Sequence, residues 1–263
     1  MKTNRRFAIR LFGPLLGVML LAACATPPAG GDGFDEVNDP LEPMNRVIFS
    51  FNQFVDGLIF KPLALMYRDI LPPEIQDGIG GILETLRTPI VLANDLLQGD
   101  VDRAGETLSR FAVNATVGLG GIIDVATDMG LEGHNEDFGQ TLAVWGSGEG
   151  MYLVLPLLGP SNPRDGIGMG VDTFLDPLYY YANTEQLVAR TMARGVDERA
   201  GVIDALDEIE RTSIDFYATM RSLYRQHRDD LIRNGSPAPV IPIPSISFDD
   251  FESPQEEQAA LVE

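Results

Sequence analysis

The chain of 263 residues contains one cysteine, Cys24, and only two histidines, His134 and His227. A lone cysteine leaves no intrachain disulfide and no thiolate metal cluster. The histidines belong to no HExxH pattern, so no metal site is expected. Positive charge is scarce as well: 19 Lys and Arg stand against 39 Asp and Glu, a net charge of −20. Nucleic-acid binding needs basic patches, as does a polybasic hold on anionic lipid, and this balance argues against both. The GxSxG elbow of acyl hydrolases is missing. Ser147 in VWGSGEG comes near it, but Trp145-Gly146 precedes the serine and no strand leads into it. GLGGIIDV lacks the GxGxxG spacing of a dinucleotide loop. Asp124 and Asp128, four residues apart, could share acid–base work, but such pairs are more commonly caps or solvated surface. No catalytic residue and no cofactor is expected, and the chain does not read as an enzyme.

What is present begins at the N-terminus. Lys2, Arg5, Arg6 and Arg10 precede an apolar run from Leu11 to Leu21, followed by Leu21-Ala22-Ala23-Cys24. A basic region, a short apolar region and small residues before a cysteine mark a lipoprotein export signal over 1–23. Cys24 is then the lipid anchor, with each buried CH₂ of its acyl chains contributing about 0.8 kcal/mol. Ala25 follows where an Asp would favour the inner membrane, which by resemblance to sorting signals points to the outer one. Residues 24–38, rich in Pro, Gly and Ala, read as a tether, 39–233 as a helical domain, and 234–263 as a Pro-rich then acidic flexible tail.

Within 39–233, apolar residues recur at helical spacing. Met44, Val47, Ile48, Phe51, Phe54, Val55, Leu58 and Ile59 form one face, with Asn45, Arg46, Asn52 and Asp56 interspersed. Asp39, with Pro40 and Glu42, predicts a capping box at the start of that helix. Pro72-Pro73 predicts a second helix whose pattern runs to Thr88-Pro89, with a short apolar segment from Ile90 to Leu97. Further helices are expected over 101–117, 137–145 and 165–174, and a long one over 184–233 with a break near Gly195 or Gly201. No uncharged window beyond the leader reaches the roughly 18 residues of a spanning helix. Met151–Pro160 (MYLVLPLLGP) is apolar but interrupted by Pro156, which removes a backbone donor. It predicts a partly extended segment or hairpin, with Ser161–Pro163 as its turn and Asp165 as a cap of the following helix.

A lipobox, NDPLEPMNRVIFSFN, RDILP, LQGD, RFAVNATVGLGGIIDVA, DFGQTLAVWG, YLVLPLLGPSNPRDGIGMGVD and LYRQHRDDLI follow in order. Together they resemble the MlaA/VacJ family of outer-membrane lipoproteins from about Asn38 to Arg233. The resemblance implies an all-α fold: a ring-like bundle of short amphipathic helices at the periplasmic leaflet of the outer membrane, with a central channel. It implies phospholipids as cargo, a trimeric porin as neighbour and a soluble periplasmic lipid carrier (MlaC-like) as acceptor. Under it, Asn45, Arg46, Asn52, Arg68, Asp69, Arg164 and Asp165 are structural or channel-associated, with Arg68-Asp69 an internal ion pair. Gly118, Gly120 and Gly121 are a hinge or close-packing point. The rival readings are a scaffolding envelope lipoprotein and a lipase-like envelope enzyme.

Overall fold

The computed structural model describes residues 38–234 and residue 236. The expected export signal, Cys24, residues 25–37 of the tether and the tail from 237 onward lie outside the described residues. Helix α1 (Glu42–Val55) runs through a π-helical turn (Asp56–Phe60) directly into α2 (Lys61–Ile70). Then come α3 (Pro73–Gln98), α4 (Val101–Thr116), the short α5 (Val125–Asp128) and α6 (Phe138–Val144). A hairpin follows, in which β1 (Leu153–Leu155) pairs antiparallel with β2 (Gly159–Ser161), Val154 opposite Pro160. The chain closes with α7 (Pro163–Leu175), α8 (Leu178–Tyr181), α9 (Thr184–Gly201), α10 (Ile203–Thr212) and α11 (Phe216–Ile232). Helix α3 packs along α4, α6 along α7, α2 along α9, and β1 lies against α1.

Local chemistry explains most of these boundaries. Asp100, Asp137, Asn162 and Asp215 each accept a hydrogen bond from the backbone N–H three residues on, satisfying a donor that the first turn leaves free. Asn183 and Gln186 form a reciprocal capping box on α9. Gly99 ends α3 with a left-handed φ of +80°.

Several expectations are corrected. Asp39 does not cap α1 with its side chain. Its carboxylate receives Asn45 of α1 and, from α11, Tyr217 and Arg221 instead, and the distant contacts outbid a local cap. Pro89 does not break α3. The helix continues through it, and the carbonyl of Leu86, one turn earlier, accepts Arg190 Nη2 at 3.2 Å. The long last helix is three: it breaks at Val202, beside Gly201, one of the two expected places, and not at Gly195, and again at Ser213–Asp215, where none is expected. The hairpin turns at Pro156–Leu158, where Leu157 and Gly159 take positive φ, and not at Ser161–Pro163, which carry the strand end and the helix start. Asn162 caps α7, leaving Asp165 free for a buried ion pair.

The distribution of polarity is inverted. The largest fully buried side chains are Gln140, Glu136, Asn45, Asn94, Thr141, Asp95 and Ser161, all polar. Buried apolar residues form two small clusters, Ala64–Ala200–Ile203 and Tyr152–Val154–Tyr217. The wide apolar face of α1 divides: Ile48 and Phe49 turn inward onto the second cluster, while Met44, Val47, Phe51 and Phe54 are exposed, Phe54 at 66%. Exposure of Leu63, Met66 and Ile70 extends this surface along α2. A contiguous apolar surface of this kind marks a region that meets lipid or protein rather than water.

The glycines after α4 make one contact that no other residue permits. Gly121, at φ +97°, lies so close to α3 that an added Cβ would meet the Gly81 carbonyl carbon at 2.9 Å. A Cβ on Gly118 would meet the Asn114 carbonyl oxygen at 2.7 Å. Gly120 also has positive φ, but its Cβ would point into open space. Gly121→Ala is therefore expected to lower unfolding free energy by about 1–3 kcal/mol, and Gly120→Ala by less. Denaturant titration of the two variants checks the order; equal losses would show that φ, and not the approach of α3, sets the cost.

Candidate functional site

Helix α3 carries Asp77, Gly80, Gly81 and Glu84 at spacings of three and four, opposite Ile75, Ile79, Ile82 and Leu83. That polar, small-residue face borders an open cavity of about 820 Å³. The segment Ile122–Asp128 and the α9 residues Asp197, Ala200 and Gly201 complete its wall. Glu74, Asp77, Glu84, Asp124, Asp128 and Asp197 make the lining strongly acidic. Arg110, buried behind it, pairs with Glu84 at 3.3 Å and Asp124 at 3.2 Å. Partial burial would raise Asp124, but hydrogen bonds from Thr127, Asn114 and Arg110 outweigh it and hold the carboxyl down at about 2. Tyr67 donates to Asp197 at 2.7 Å. Such a space accommodates a hydrated polar group, while α1 and α2 expose an apolar surface elsewhere on the body.

A second polar layer lies beside it. Arg228 donates to Asp137 Oδ1 at 3.0 Å and Oδ2 at 2.6 Å, and to Asp165 Oδ1 at 3.0 Å. Asp165 also receives Arg164 at 3.0 Å, Asn162 at 3.0 Å and the Tyr224 hydroxyl. Burial pushes Asp137 up, but the Arg228 contacts and the Gln140 backbone N–H win and hold it at about 2. A carboxyl held below its unfolded value of about 4 contributes stability above that value and loses it as pH falls toward 2. Burial raises Asp172 and Glu136, which act in the opposite sense. Asp137→Asn is thus expected to flatten the loss of stability between about pH 4 and pH 2. Melting temperature against pH checks it; an unchanged acid slope would assign the loss to other carboxylates.

The residues singled out in the sequence fall into distinct places. Asn45 donates to the Tyr152 carbonyl at 3.0 Å and accepts from Val154 N–H at 3.0 Å. Asn52, two turns on, donates to Leu155 O at 2.9 Å and accepts from Leu157 N–H at 2.8 Å. Together they clamp the hairpin backbone onto α1, leaving Leu157 and Leu158 exposed at its tip. Arg46 bridges Glu42 at 2.8 Å and Asp215, with its guanidinium 4.4 Å from the Tyr217 ring centroid. Arg68-Asp69 is not an internal pair: the two are 3.6 Å apart at the surface, and Arg68 reaches across to Asp204 at 3.1 Å. None of Asn45, Arg46, Asn52, Arg68, Asp69, Gly118, Gly120 and Gly121 borders the large cavity, and Asp165 borders a smaller one of about 160 Å³. Of the cavity acids the sequence singles out only Asp124 and Asp128; Glu74, Asp77, Glu84 and Asp197 carry no motif, although the recurrence at 77, 80, 81 and 84 signals the α3 face.

The residues weighed for catalysis are dispersed. His134 Nε2 contacts Asp95 Oδ1 at 3.0 Å and Thr107 Oγ1 at 3.1 Å. Ser147 donates weakly to Gly148 O at 3.4 Å, and His227 is exposed. Asp124 is a helix cap. Among the described residues no helix is long and apolar enough to cross a membrane, and no three His, Cys, Asp or Glu converge to hold a metal ion.

The family model described as MlaA lipoprotein matches residues 37–231. The chain is 34% identical over 233 residues to the intermembrane phospholipid transport system lipoprotein MlaA of Escherichia coli, covering 86% of this chain and 90% of that protein. The protein of the same name in Haemophilus influenzae is 30% identical, over 84% of this chain and 89% of that one. A solved structure from work on the structural basis for maintenance of bacterial outer membrane lipid asymmetry superposes with a TM-score of 0.67 at 33% identity. It covers 74% of this chain and 98% of that chain.

Proposed function

This chain belongs to the MlaA lipoprotein family, and from that premise we propose that it carries phospholipids out of the outer leaflet of the outer membrane toward the periplasm, maintaining lipid asymmetry. The observation that carries this reading is the inverted polarity: a polar interior with an open acidic cavity of about 820 Å³, inside a body whose α1 and α2 expose Val47, Phe51, Phe54 and Met66. A phospholipid joins a charged head to apolar tails. Drawing the head through hydrocarbon strips its water at a cost of several kcal/mol. A polar passage beside the bilayer removes most of that cost, while the tails slide along an apolar rim. The process is passage and not bond chemistry, so direction comes from the acceptor.

In this reading the body sits in the periplasmic leaflet. Short helices with one broad apolar face suit a position in the interface plane, and acyl chains on Cys24 add the anchor. A trimeric porin holds it beside the bilayer, and a soluble periplasmic carrier receives the lipid. The test is outer-leaflet phospholipid in cells lacking the gene. It is expected to rise and to return to the wild-type level when the full chain is restored. An unchanged outer leaflet would sink the proposal.

A further inference from the structure

Arg87 stands apart from every other cation in the described residues. Each of the remaining Arg and Lys side chains there has a carboxylate within ion-pair distance; Arg87 has none. In a chain with twice as many acids as bases, an unpaired guanidinium is a departure that needs a reason. Arg87 is half-buried on α3 and meets only neutral acceptors, Asn135 Oδ1 at 3.1 Å and the Glu136 carbonyl at 3.4 Å. Burial and the neighbouring Arg194 disfavour its charge, and Asp137, Asp172 and Glu198, all beyond ion-pair distance, offset this only in part. A bound anion would relieve both.

Its position suits an anion in transit. Glu84, one turn before it, lines both the 820 Å³ cavity and a small pocket that also holds Arg87, Arg110 and His134. Arg87 in turn lines that pocket and the 160 Å³ cavity beyond, where Arg228 and Arg164 pair with Asp137 and Asp165 and the Asp172 carboxyl is raised by burial. The pocket around Arg87 has one carboxylate, Glu84, and Arg110 already pairs with it, so the Arg87 guanidinium lines the pocket without an ion-pair partner of its own. We propose that Arg87 is a binding residue for the phosphodiester of a glycerophospholipid headgroup as it leaves the large cavity. This rests on the transport reading above and adds to it the point where the headgroup is held. A guanidinium meets phosphate oxygens through paired, charge-assisted hydrogen bonds.

The test titrates dihexanoyl-phosphatidylglycerol into the full chain in detergent and reads the affinity calorimetrically. Arg87→Gln is expected to bind about tenfold more weakly, the loss of one charge-assisted contact, and Arg87→Lys, which restores the charge but not the paired geometry, to recover part of it. Wild-type affinity in Arg87→Gln overturns the assignment and leaves the transport reading standing; no binding by the wild type overturns both. A second measurement needs no variant. Phenylglyoxal is expected to modify Arg87 in the free protein, and the lipid to suppress that adduct, mapped by mass spectrometry; an adduct unaffected by lipid overturns the assignment. Inorganic phosphate binding and protecting as well as the lipid at equal concentration would make this a free-phosphate site and overturn the headgroup reading.

Discussion

Arg228→Ala is expected to cost about 3–5 kcal/mol of unfolding free energy, because it removes one partner of a buried charge pair and strands the other. Arg228 on α11 ties Asp137, at the start of α6, to Asp165, in the first turn of α7, through a single guanidinium. Asp165 is 5% exposed. Without Arg228 it keeps Arg164, Asn162 and Tyr224, whereas Asp137 keeps Gln140 and its capping role. The two carboxylates would then face each other at the wall of the 160 Å³ cavity, with Arg164, which pairs with Asp165, as the cation left beside them. Gly139 lies between them, where a Cβ would meet Asp165 Oδ1 at 2.6 Å and Arg228 Nη2 at 2.9 Å, so the cluster closes only around a glycine. Guanidinium-chloride unfolding of the full chain in detergent checks the loss. Arg211→Ala, which removes an exposed pair with Glu208, is the control and should change little. A small loss at Arg228 would mean that water already fills the cluster.

The second large effect concerns the exposed side of α1. In a Cys24→Ala background, where no acyl chain carries the binding, Phe51→Asp together with Phe54→Asp should weaken co-sedimentation with phospholipid vesicles more than tenfold. An Asp costs about 2.5–3.5 kcal/mol at the centre of a bilayer and less at the interface, so two are sufficient even at partial depth. Both side chains are largely exposed and take no part in either apolar cluster. Substitutions at such positions are expected to leave folding within about 0.5 kcal/mol of wild type. The combination of lost lipid association and intact folding is what separates a membrane-facing surface from a core. Unaltered sedimentation would place the bilayer contact elsewhere, and a large loss of stability would show that the aromatic pair belongs to the core.

Local chemistry was largely legible. Helix periodicity, the Pro72-Pro73 start, the Gly99 stop and the short α6 follow from side-chain spacing and from backbone conformations that only certain residues adopt. Where the reading failed, distant partners won over local ones. Asp39 had the spacing of a capping box but lies 182 residues from Arg221, whose guanidinium it takes at 2.6 Å. Pro89 had the chemistry of a helix stop, yet α3 is held on both sides of it by α4, α6, α7 and α9. The hairpin turn moved by a few residues because Asn45 and Asn52 fix the backbone from Tyr152 to Leu157 on α1, which no inspection of residues 151–168 alone reveals.

The sequence by itself determined that this chain is helical, acidic, without metal-binding or nucleophilic motifs, and built of helices with one broad apolar face each. It also placed the family motifs in order along 38–233. Only the tertiary structure decided which way those faces point. Periodicity reports that one side of a helix is apolar and is silent on what that side meets. The inversion arises because Asn, Asp, Gln and Arg from α3, α6, α7 and α11 satisfy one another inside, through pairs such as Arg228 with Asp165 that are 63 residues apart. Buried polar groups are stable only when every partner arrives. That condition belongs to the folded arrangement as a whole, and once it is met Phe51 and Phe54 are left facing outward.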